Sequence, residues 1–232
     1  AHMNRWLHSW RVGGILALLV VLLAGCSPAL VREQTQRLLP RSPAADAGTA
    51  PADPGNRILL QGTDGNLYIV SPDGKERYAL TNDASRRRAY GQPTWSPDGE
   101  QIAWNAITRA GTVLLMSRYD GRERKEIDLP FLPFYISWSP NGQQLAYLSN
   151  WRVVDGPSMA LRLVDLDQGS ETVKTPAAGQ PFYFSWSPGG DQLLAHIDGE
   201  RVEVYDVAGE SSTAQSLAIS GSAFSAPQWS AD

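Results

Sequence analysis

The side chains that could perform hydrolytic chemistry are few and scattered in this sequence. Two of the three histidines, His2 and His8, lie in the first eight residues, which leaves only His196 for the rest of the chain. A serine hydrolase needs a nucleophile, a histidine and an acid, and one large class carries the nucleophile in a G-x-S-x-G turn. That motif is absent, and His196 is interpreted as a packed residue of a predicted strand. The sequence therefore predicts no catalytic residues and no enzyme.

Metal-binding patterns are equally weak. Asp165 and Asp167 are spaced like the first ligands of a helix–loop–helix calcium site. However, the acidic ligand further along and the flanking helices are missing, so a turn explains the pair more simply. A single cysteine cannot form a disulfide within the chain or build a thiolate cluster. We predict no metal site and no cofactor.

The one cysteine, Cys26, ends a segment typical of secretion signals. Arg5 and Arg11 precede an apolar run of 14 residues, 12–25, which closes with Leu23-Ala24-Gly25 before the cysteine. Such a run is too short to cross a hydrocarbon core of ~30 Å, for which a helix needs ~20 residues. A basic flank followed by a short apolar core is instead typical of a secretory signal peptide. The end of this segment resembles the lipobox of bacterial lipoproteins.

That resemblance implies that the signal is cut before Cys26 and that its thiol is acylated. Several acyl chains hold a protein firmly at a bilayer, whereas one alone binds reversibly. The resemblance places the chain at the cell membrane, lipid-anchored and facing the extracytoplasmic side. The alternative is an uncleaved helix that ends by chance in a buried cysteine. With Ala1-His2-Met3 interpreted as a cloning scar, residues 1–26 are predicted as scar plus signal peptide.

The charge balance limits the partners of the remaining chain. The 232 residues carry a formal net charge of −4, and loss of residues 1–26 would leave 18 basic and 24 acidic residues. A nucleic-acid binder needs a basic face, so we predict no nucleic-acid partner. An acidic body should not lie flat on an anionic membrane, so membrane contact is predicted through the lipid alone. Residues 27–56 are rich in Pro and Ala and are predicted as an extended tether.

A repeat organises the chain from residue 57 to residue 232. Its tryptophans are separated by 43, 48 and 43 residues, a period typical of propeller blades. The four copies are Pro93-Thr94-Trp95-Ser96-Pro97-Asp98-Gly99, Ile136-Ser137-Trp138-Ser139-Pro140-Asn141-Gly142, Phe184-Ser185-Trp186-Ser187-Pro188-Gly189-Gly190 and Pro227-Gln228-Trp229-Ser230-Ala231-Asp232.

Each complete unit contains four predicted strands. Apolar and polar residues alternate up to the tryptophan, as in a strand. The Ser-Pro-Asp-Gly segment then predicts a turn, because Pro fixes φ and Gly accepts positive φ. Three further strands follow, for instance Gln101–Trp104, Thr112–Ser117 and Arg124–Leu129. The predicted fold class is all-β, a β-propeller of four-stranded antiparallel blades.

The two ends of the repeat region are incomplete units. Residues 57–82 contain three predicted strands, Ile58–Gln61, Asn66–Val70 and Arg77–Thr81, whereas Phe224–Trp229 alone is the first strand of another unit. The last strand would either complete the first blade of a four-bladed ring, which removes exposed sheet edges, or begin a further blade of a longer chain. The sequence leaves both alternatives open.

The repeat resembles the TolB-like propeller repeat and, more loosely, WD-repeat propellers. The resemblance rests on the tryptophan spacing and the W-S-P-D-G turn, with Gly189 in place of Asp and Ala231 in place of Pro. Looser turns are expected at these two departures. The resemblance implies an extracytoplasmic protein that binds other proteins, and some propellers of this kind gate peptidases. A fold by itself does not assign a function.

The connections between blades form the candidate binding face. They carry Arg and aromatic residues, the types enriched at protein interfaces, although a short basic run is usually only solvated. Tyr135 and Tyr183 each follow a phenylalanine, Phe134 or Phe182, so by the alternation of a strand (its parity) the tyrosines point away from the face that the phenylalanines occupy. The tyrosines are expected at the channel mouth, and the phenylalanines are expected to pack between blades. Trp151 is expected on a projecting loop, either as an interface anchor or as a cap on the blade below. The candidates are Arg86, Arg87, Arg88, Tyr90, Tyr135, Trp151 and Tyr183.

Three functions fit this reading. The first is a non-catalytic module that binds envelope proteins, with the arginine run accepting an acidic partner. The second is binding of a small ligand, a peptide or a sugar, at the aromatic channel mouth. The third is the gating domain of a peptidase whose catalytic part lies outside this chain.

Overall fold

The computed structural model describes residues 48–153, 156–166, 173–179, 181–208, 213–220 and 226–231. Cys26, the predicted signal peptide and the tether up to residue 47 lie outside the described residues. The part described belongs to one compact unit, Gln36–Asp232, and contains fifteen β-strands and no helix. Accordingly, none of its segments forms a helix long and apolar enough to cross a membrane.

The strands form four antiparallel sheets that follow one another along the chain. Sheet 1 has three strands, and the other sheets have four. The first strand of each sheet in chain order lies at one edge of that sheet, and we call this edge the inner edge. The strands are β1 (Ile58–Gln61), β2 (Leu67–Val70) and β3 (Arg77–Ala79) in sheet 1; β4 (Arg88–Trp95), β5 (Gln101–Thr108), β6 (Thr112–Arg118) and β7 (Lys125–Leu129) in sheet 2; β8 (Pro133–Trp138), β9 (Gln144–Val153), β10 (Gly156–Asp165) and β11 (Val173–Gly179) in sheet 3; and β12 (Pro181–Trp186), β13 (Gln192–Ile197), β14 (Arg201–Asp206) and β15 (Thr213–Ser220) in sheet 4.

Successive sheets pack face to face, and each contact buries an apolar cluster. Because neighbouring residues of a strand point to opposite faces, one strand can serve two clusters. In β6, Leu115 packs towards sheet 1, whereas Leu114 packs towards sheet 3. This explains why β6 reads as a continuous apolar run rather than an alternating one. Trp104, Trp138 and Trp186 are buried at the first, second and third of these contacts.

The predicted turn follows Trp95, Trp138 and Trp186. Ser96 Oγ donates to Asp98 Oδ1 at 2.5 Å and accepts the Gln101 N–H at 2.9 Å, while Gly99 takes a φ of 74°. The Ser96 hydrogen bond is the main reason that the pKa of the Asp98 carboxyl lies below its ordinary value. The side chains of the turn therefore close it independently of the strands.

The turn at Gly189 is held by fewer side-chain hydrogen bonds than the other turns, in line with the expectation of a looser turn. Ser187 Oγ donates to Asp191 Oδ1 at 2.9 Å and accepts the Gln192 N–H at 3.0 Å. The Gly190 N–H still donates to the Ser187 carbonyl at 2.9 Å. The Asp191 carboxylate, two residues further along, replaces the missing one as the partner of Ser187, but it does not accept the backbone N–H that Asp98 accepts from Glu100 in the first turn.

The sheets do not close into a ring in the described part of the chain. Phe224–Trp229 was predicted as a strand, but the described residues 226–231 form none, and Pro227 has no N–H to contribute to a ladder. Trp229 nevertheless lies against sheet 4, where its indole N–H donates to the Ser185 carbonyl at 3.1 Å. Trp186 makes the corresponding bond to the Ser137 carbonyl at 3.4 Å.

Sheet 3 extends beyond the other sheets. The predicted loop 149–157 is instead the end of a long hairpin, in which Trp151 of β9 pairs with Ser158 of β10. Ser149 is opposite Pro133 of β8, so the residues beyond it continue as a two-stranded ribbon. Trp151 therefore lies on a strand and not on a loop; the segment projects as expected, but backbone pairing holds it.

Candidate functional site

The two ends of the sheets present different kinds of connection. The Ser-Pro-Asp-Gly turns lie at one end, which we call the turn face. The links between sheets, 82–87 and 130–132, lie at the other end, together with the β5–β6 and β13–β14 turns. We call this end the link face. All the residues predicted to bind a partner belong to the link face or to strand segments that reach it.

The arginine run lies at the start of β4. The Ser85 N–H donates to the Arg88 carbonyl at 2.8 Å, and the Arg88 N–H donates to the Ser85 carbonyl at 3.1 Å. Arg86 and Arg87 therefore occupy the two central positions of a tight turn, with exposed side chains. Arg88 is half-buried and points its Nε towards Asp83 Oδ2 at 3.7 Å. The structure thus separates two exposed arginines from a third that faces a carboxylate.

Tyr90 is part of the core between sheets 1 and 2. Only 5% of it is exposed, and its hydroxyl donates to Asp83 Oδ1 at 2.6 Å. Burial and the Asp83 hydrogen bond raise the pKa of Tyr90 to about 12. Tyr90 therefore supports the strand that carries the arginines and offers no side-chain surface to a partner.

Tyr135 and Tyr183 are brought together at the boundary between sheets 3 and 4. Their ring centroids are 6.5 Å apart with an interplanar angle of 38°, and Tyr135 also packs edge-on against Phe184 at 5.1 Å. Burial, and next the neighbouring Tyr183, raises the pKa of Tyr135. Even so, 48% of Tyr135 remains exposed. The two rings form an aromatic shelf on adjacent inner strands.

Gln92 continues this shelf on sheet 2, and sequence reasoning missed it. Its Oε1 accepts the Tyr135 N–H at 3.0 Å across the sheet boundary. Gln92, Tyr135 and Tyr183 each lie three residues before a repeat tryptophan, and we call these three residues the inner row. The equivalent position in each repeat was therefore a signal that could have identified Gln92.

Two members of the inner row have a backbone conformation that L-residues seldom adopt. Gln92 has a φ of 52° and Tyr135 a φ of 55°. Each lies in a β-bulge, where the register shifts between Gly91 and Thr94 or between Phe134 and Ser137. Bulges redirect side chains, and a non-glycine residue at positive φ costs about 1–3 kcal/mol. The fold maintains this strain at two equivalent positions while leaving Tyr135 exposed.

The remaining candidates divide between described and undescribed side chains. Phe134 is partly buried against the core between sheets 3 and 4, as predicted. The side chains of Trp151 and Phe182 lie outside the described residues. The link before β8 adds exposed Phe131 and Leu132, and the Arg162 guanidinium carbon lies 4.4 Å from the Phe131 ring centroid.

The described residues offer no grouping that suggests catalysis or metal binding. His196 is fully buried in β13, which agrees with a packed strand residue. No group of three or more His, Cys, Asp or Glu side chains comes close enough to hold an ion within those residues. Part of the Asp165–Gly169 segment lies outside them.

Comparison with known proteins identifies the fold. No protein-family profile matches the chain, and no curated protein matches it. Among solved structures, puromycin hydrolase is similar over 72% of this chain and 30% of its own, with 18% identity and a TM-score of 0.54. Oligogalacturonate lyase in complex with manganese matches 72% of this chain and 46% of its own, with 12% identity and a TM-score of 0.50. The fold is propeller-like.

TolB from Acinetobacter baumannii is also among the similar structures. It matches 71% of this chain and 42% of its own, with 21% identity and a TM-score of 0.48. The chain thus spans less than half the length of each of these three proteins. Two of the three are enzymes by name, so the likeness concerns the fold alone and does not decide whether this chain has an activity.

Proposed function

We propose that this chain is a lipid-anchored, extracytoplasmic propeller domain that acts as a non-catalytic module for binding other envelope proteins through its link face. Tyr135 carries the proposal. An aromatic ring that is half exposed and held at positive φ lowers stability in two ways, through strain and through apolar surface left in water. A contact between this ring and a partner would bury the apolar surface and would explain why the strained conformation is retained.

Site-specific photocrosslinking at the inner row tests this function. Tyr135 is replaced by p-benzoylphenylalanine in the full chain, in cells, with Ile219 of the outer strand β15 as the matched control position. Ile219 is 65% exposed, so the two positions are comparably accessible. We expect a discrete crosslinked product of higher mass from position 135 and none from position 219. No product at 135, or the same products at both positions, would rule out a partner site here.

Binding of a small ligand is the second candidate, favoured by the neighbouring rings of Tyr135 and Tyr183, which lie 6.5 Å apart and are tilted by 38°. Aromatic shelves with a few polar groups are common in ligand sites. If the site binds a small ligand instead, position 135 would give no crosslink to another protein. A gating role beside a peptidase would instead give a crosslink to a hydrolase domain.

The anchor rests on the lipobox resemblance at Cys26 and has its own test. We expect the full chain with its native start to incorporate labelled palmitate and to sediment with membranes, because a triacylated cysteine inserts several hydrocarbon chains. Cys26→Ser should abolish the label and release the protein into the soluble fraction. Membrane association that survives this substitution would mean that the apolar segment itself, uncleaved, holds the chain.

A further inference from the structure

Three exposed arginines lie together at the link face of sheet 2. Arg86 and Arg87 occupy the centre of the turn before β4. Arg109 lies in the β5–β6 turn, which is closed by the Thr108 N–H donating to the Gly111 carbonyl at 2.8 Å. Arg88 of β4 is paired with Thr108 of β5 in the antiparallel ladder. Arg87 precedes Arg88 and Arg109 follows Thr108, so both arginines lie next to this pair, at the same end of the sheet. We call Arg86, Arg87 and Arg109 the arginine tips.

The arginine tips are not neutralised by any other part of the chain that the structure describes. No carboxylate of the described residues forms an ion pair with any of the three, whereas Arg88, Arg118, Arg122 and Arg201 each face one. Turn chemistry does not require arginine there, since tight turns favour Gly, Asn, Asp and Pro. Three guanidiniums without an ion pair to the described residues, on two hydrogen-bonded turns and in a chain with net charge −4, form a surface that attracts anions.

The tips and the inner row belong to one continuous surface. Arg87 immediately precedes β4 and Gln92 lies within that strand, five residues and so about 16 Å apart in extended chain. Gln92 in turn contacts Tyr135. A ligand that reaches both features must therefore be extended over about five residues, with negative charge at one end and an apolar side chain at the other.

We propose that the link face binds an extended acidic peptide segment of a partner protein, with its carboxylates on the arginine tips and an apolar side chain on Tyr135 and Tyr183. This rests on the proposed interaction function and adds the chemistry of the partner. Guanidinium forks match carboxylates in geometry and charge, and the tyrosine shelf suits an aromatic or aliphatic side chain.

An anionic membrane fits this surface less well. Exposed Glu200 and half-exposed Asp198 lie in the β13–β14 turn at the same face. Asp198 is paired with Arg201 at 2.8 Å, but a planar bilayer that touched the arginine tips would also approach the Glu200 carboxylate, and like charges repel. A peptide contacts only the strip between the tips and the inner row.

The test uses a fluorescein-labelled probe peptide with four Asp or Glu residues followed, after a short Ser-Gly spacer, by one Phe. Fluorescence anisotropy with the full chain should show saturable binding that weakens as salt is raised. Replacing Arg86, Arg87 and Arg109 together by Ser should weaken it at least tenfold. Lys125→Ser, which removes one exposed charge at the turn face, should change the affinity less than twofold.

A second peptide keeps the test independent of protein folding. With every Asp and Glu changed to Asn and Gln, the peptide should lose at least tenfold in affinity for the unaltered protein. The proposal is overturned if the acidic peptide does not bind, or if it binds the triple variant equally well. Binding to phosphatidylglycerol vesicles that the triple variant loses, without peptide binding, would assign the tips to a membrane. In that case a crosslink from position 135 would still support a protein partner.

Discussion

Trp138→Ala is expected to lower the free energy of unfolding by about 3–5 kcal/mol, the usual cost of truncating a large buried aromatic residue. Trp138 is only 6% exposed and packs in the cluster between sheets 2 and 3. Its indole fills the space between two complete four-stranded sheets, so the surrounding backbone has little freedom to collapse into the cavity.

Trp95→Ala is the matched control for this prediction. Trp95 holds the same place in the repeat but is only partly buried, and it packs against the three-stranded sheet 1. We expect its loss to cost less than half as much. Urea denaturation of the two variants and the unaltered protein gives both values from the transition midpoints and slopes. Equal losses would show that burial between complete sheets is not what makes the repeat tryptophan important.

At position 135 we expect Gly to give a more stable protein than Ala, by about 1 kcal/mol. Both substitutions remove the edge-on contact with Phe184, worth about 0.5–1.5 kcal/mol. Only Gly relieves the positive φ, at a cost of about 1 kcal/mol in unfolded-chain entropy that is offset by the larger strain removed. Tyr135→Gly should therefore lie within about 1 kcal/mol of the unaltered protein, whereas Tyr135→Ala should be clearly less stable.

The same two variants should both lose the interaction. Affinity for the acidic probe peptide is expected to fall about tenfold in each, because each removes the ring on which the apolar side chain rests. Thermal denaturation and anisotropy, measured on the same preparations, separate the two effects. If Ala proves as stable as Gly, the bulge stores no strain; if affinity is retained, Tyr135 is exposed without touching the peptide.

The sequence predicted the strands well because each lies between local signals. Ile58–Gln61 coincides with β1, and the Ser-Pro-Asp-Gly turns fall where Pro and Gly place them. The length of β9 and β10 was not predicted, because Asp155-Gly156-Pro157 read as a loop, whereas backbone pairing across the sheet extended the hairpin to Val153 and Gly156. Pairing between strands is a tertiary effect that local composition does not contain.

The candidate site was predicted only in part for a similar reason. Strand parity pointed to Tyr135 and Tyr183, which the structure brings together. Parity could not show that Tyr90 is buried, since that depends on the packing of sheet 1 and on the hydrogen bond to Asp83. Gln92 holds the equivalent position in its repeat, and it was missed because only Arg and aromatic residues were considered as interface types.

The packing of the sheets in chain order determines how local unfolding is expected to propagate from one sheet to the next. Among the described residues, each sheet shares its apolar clusters with the sheet before and the sheet after it, so coupling is between nearest neighbours, as in repeat arrays. Within this part of the chain, local unfolding of sheet 1 would reach sheet 4 through sheets 2 and 3. Local opening can therefore begin at sheet 1 while the tyrosine shelf, on the far side of sheet 2, keeps its shape.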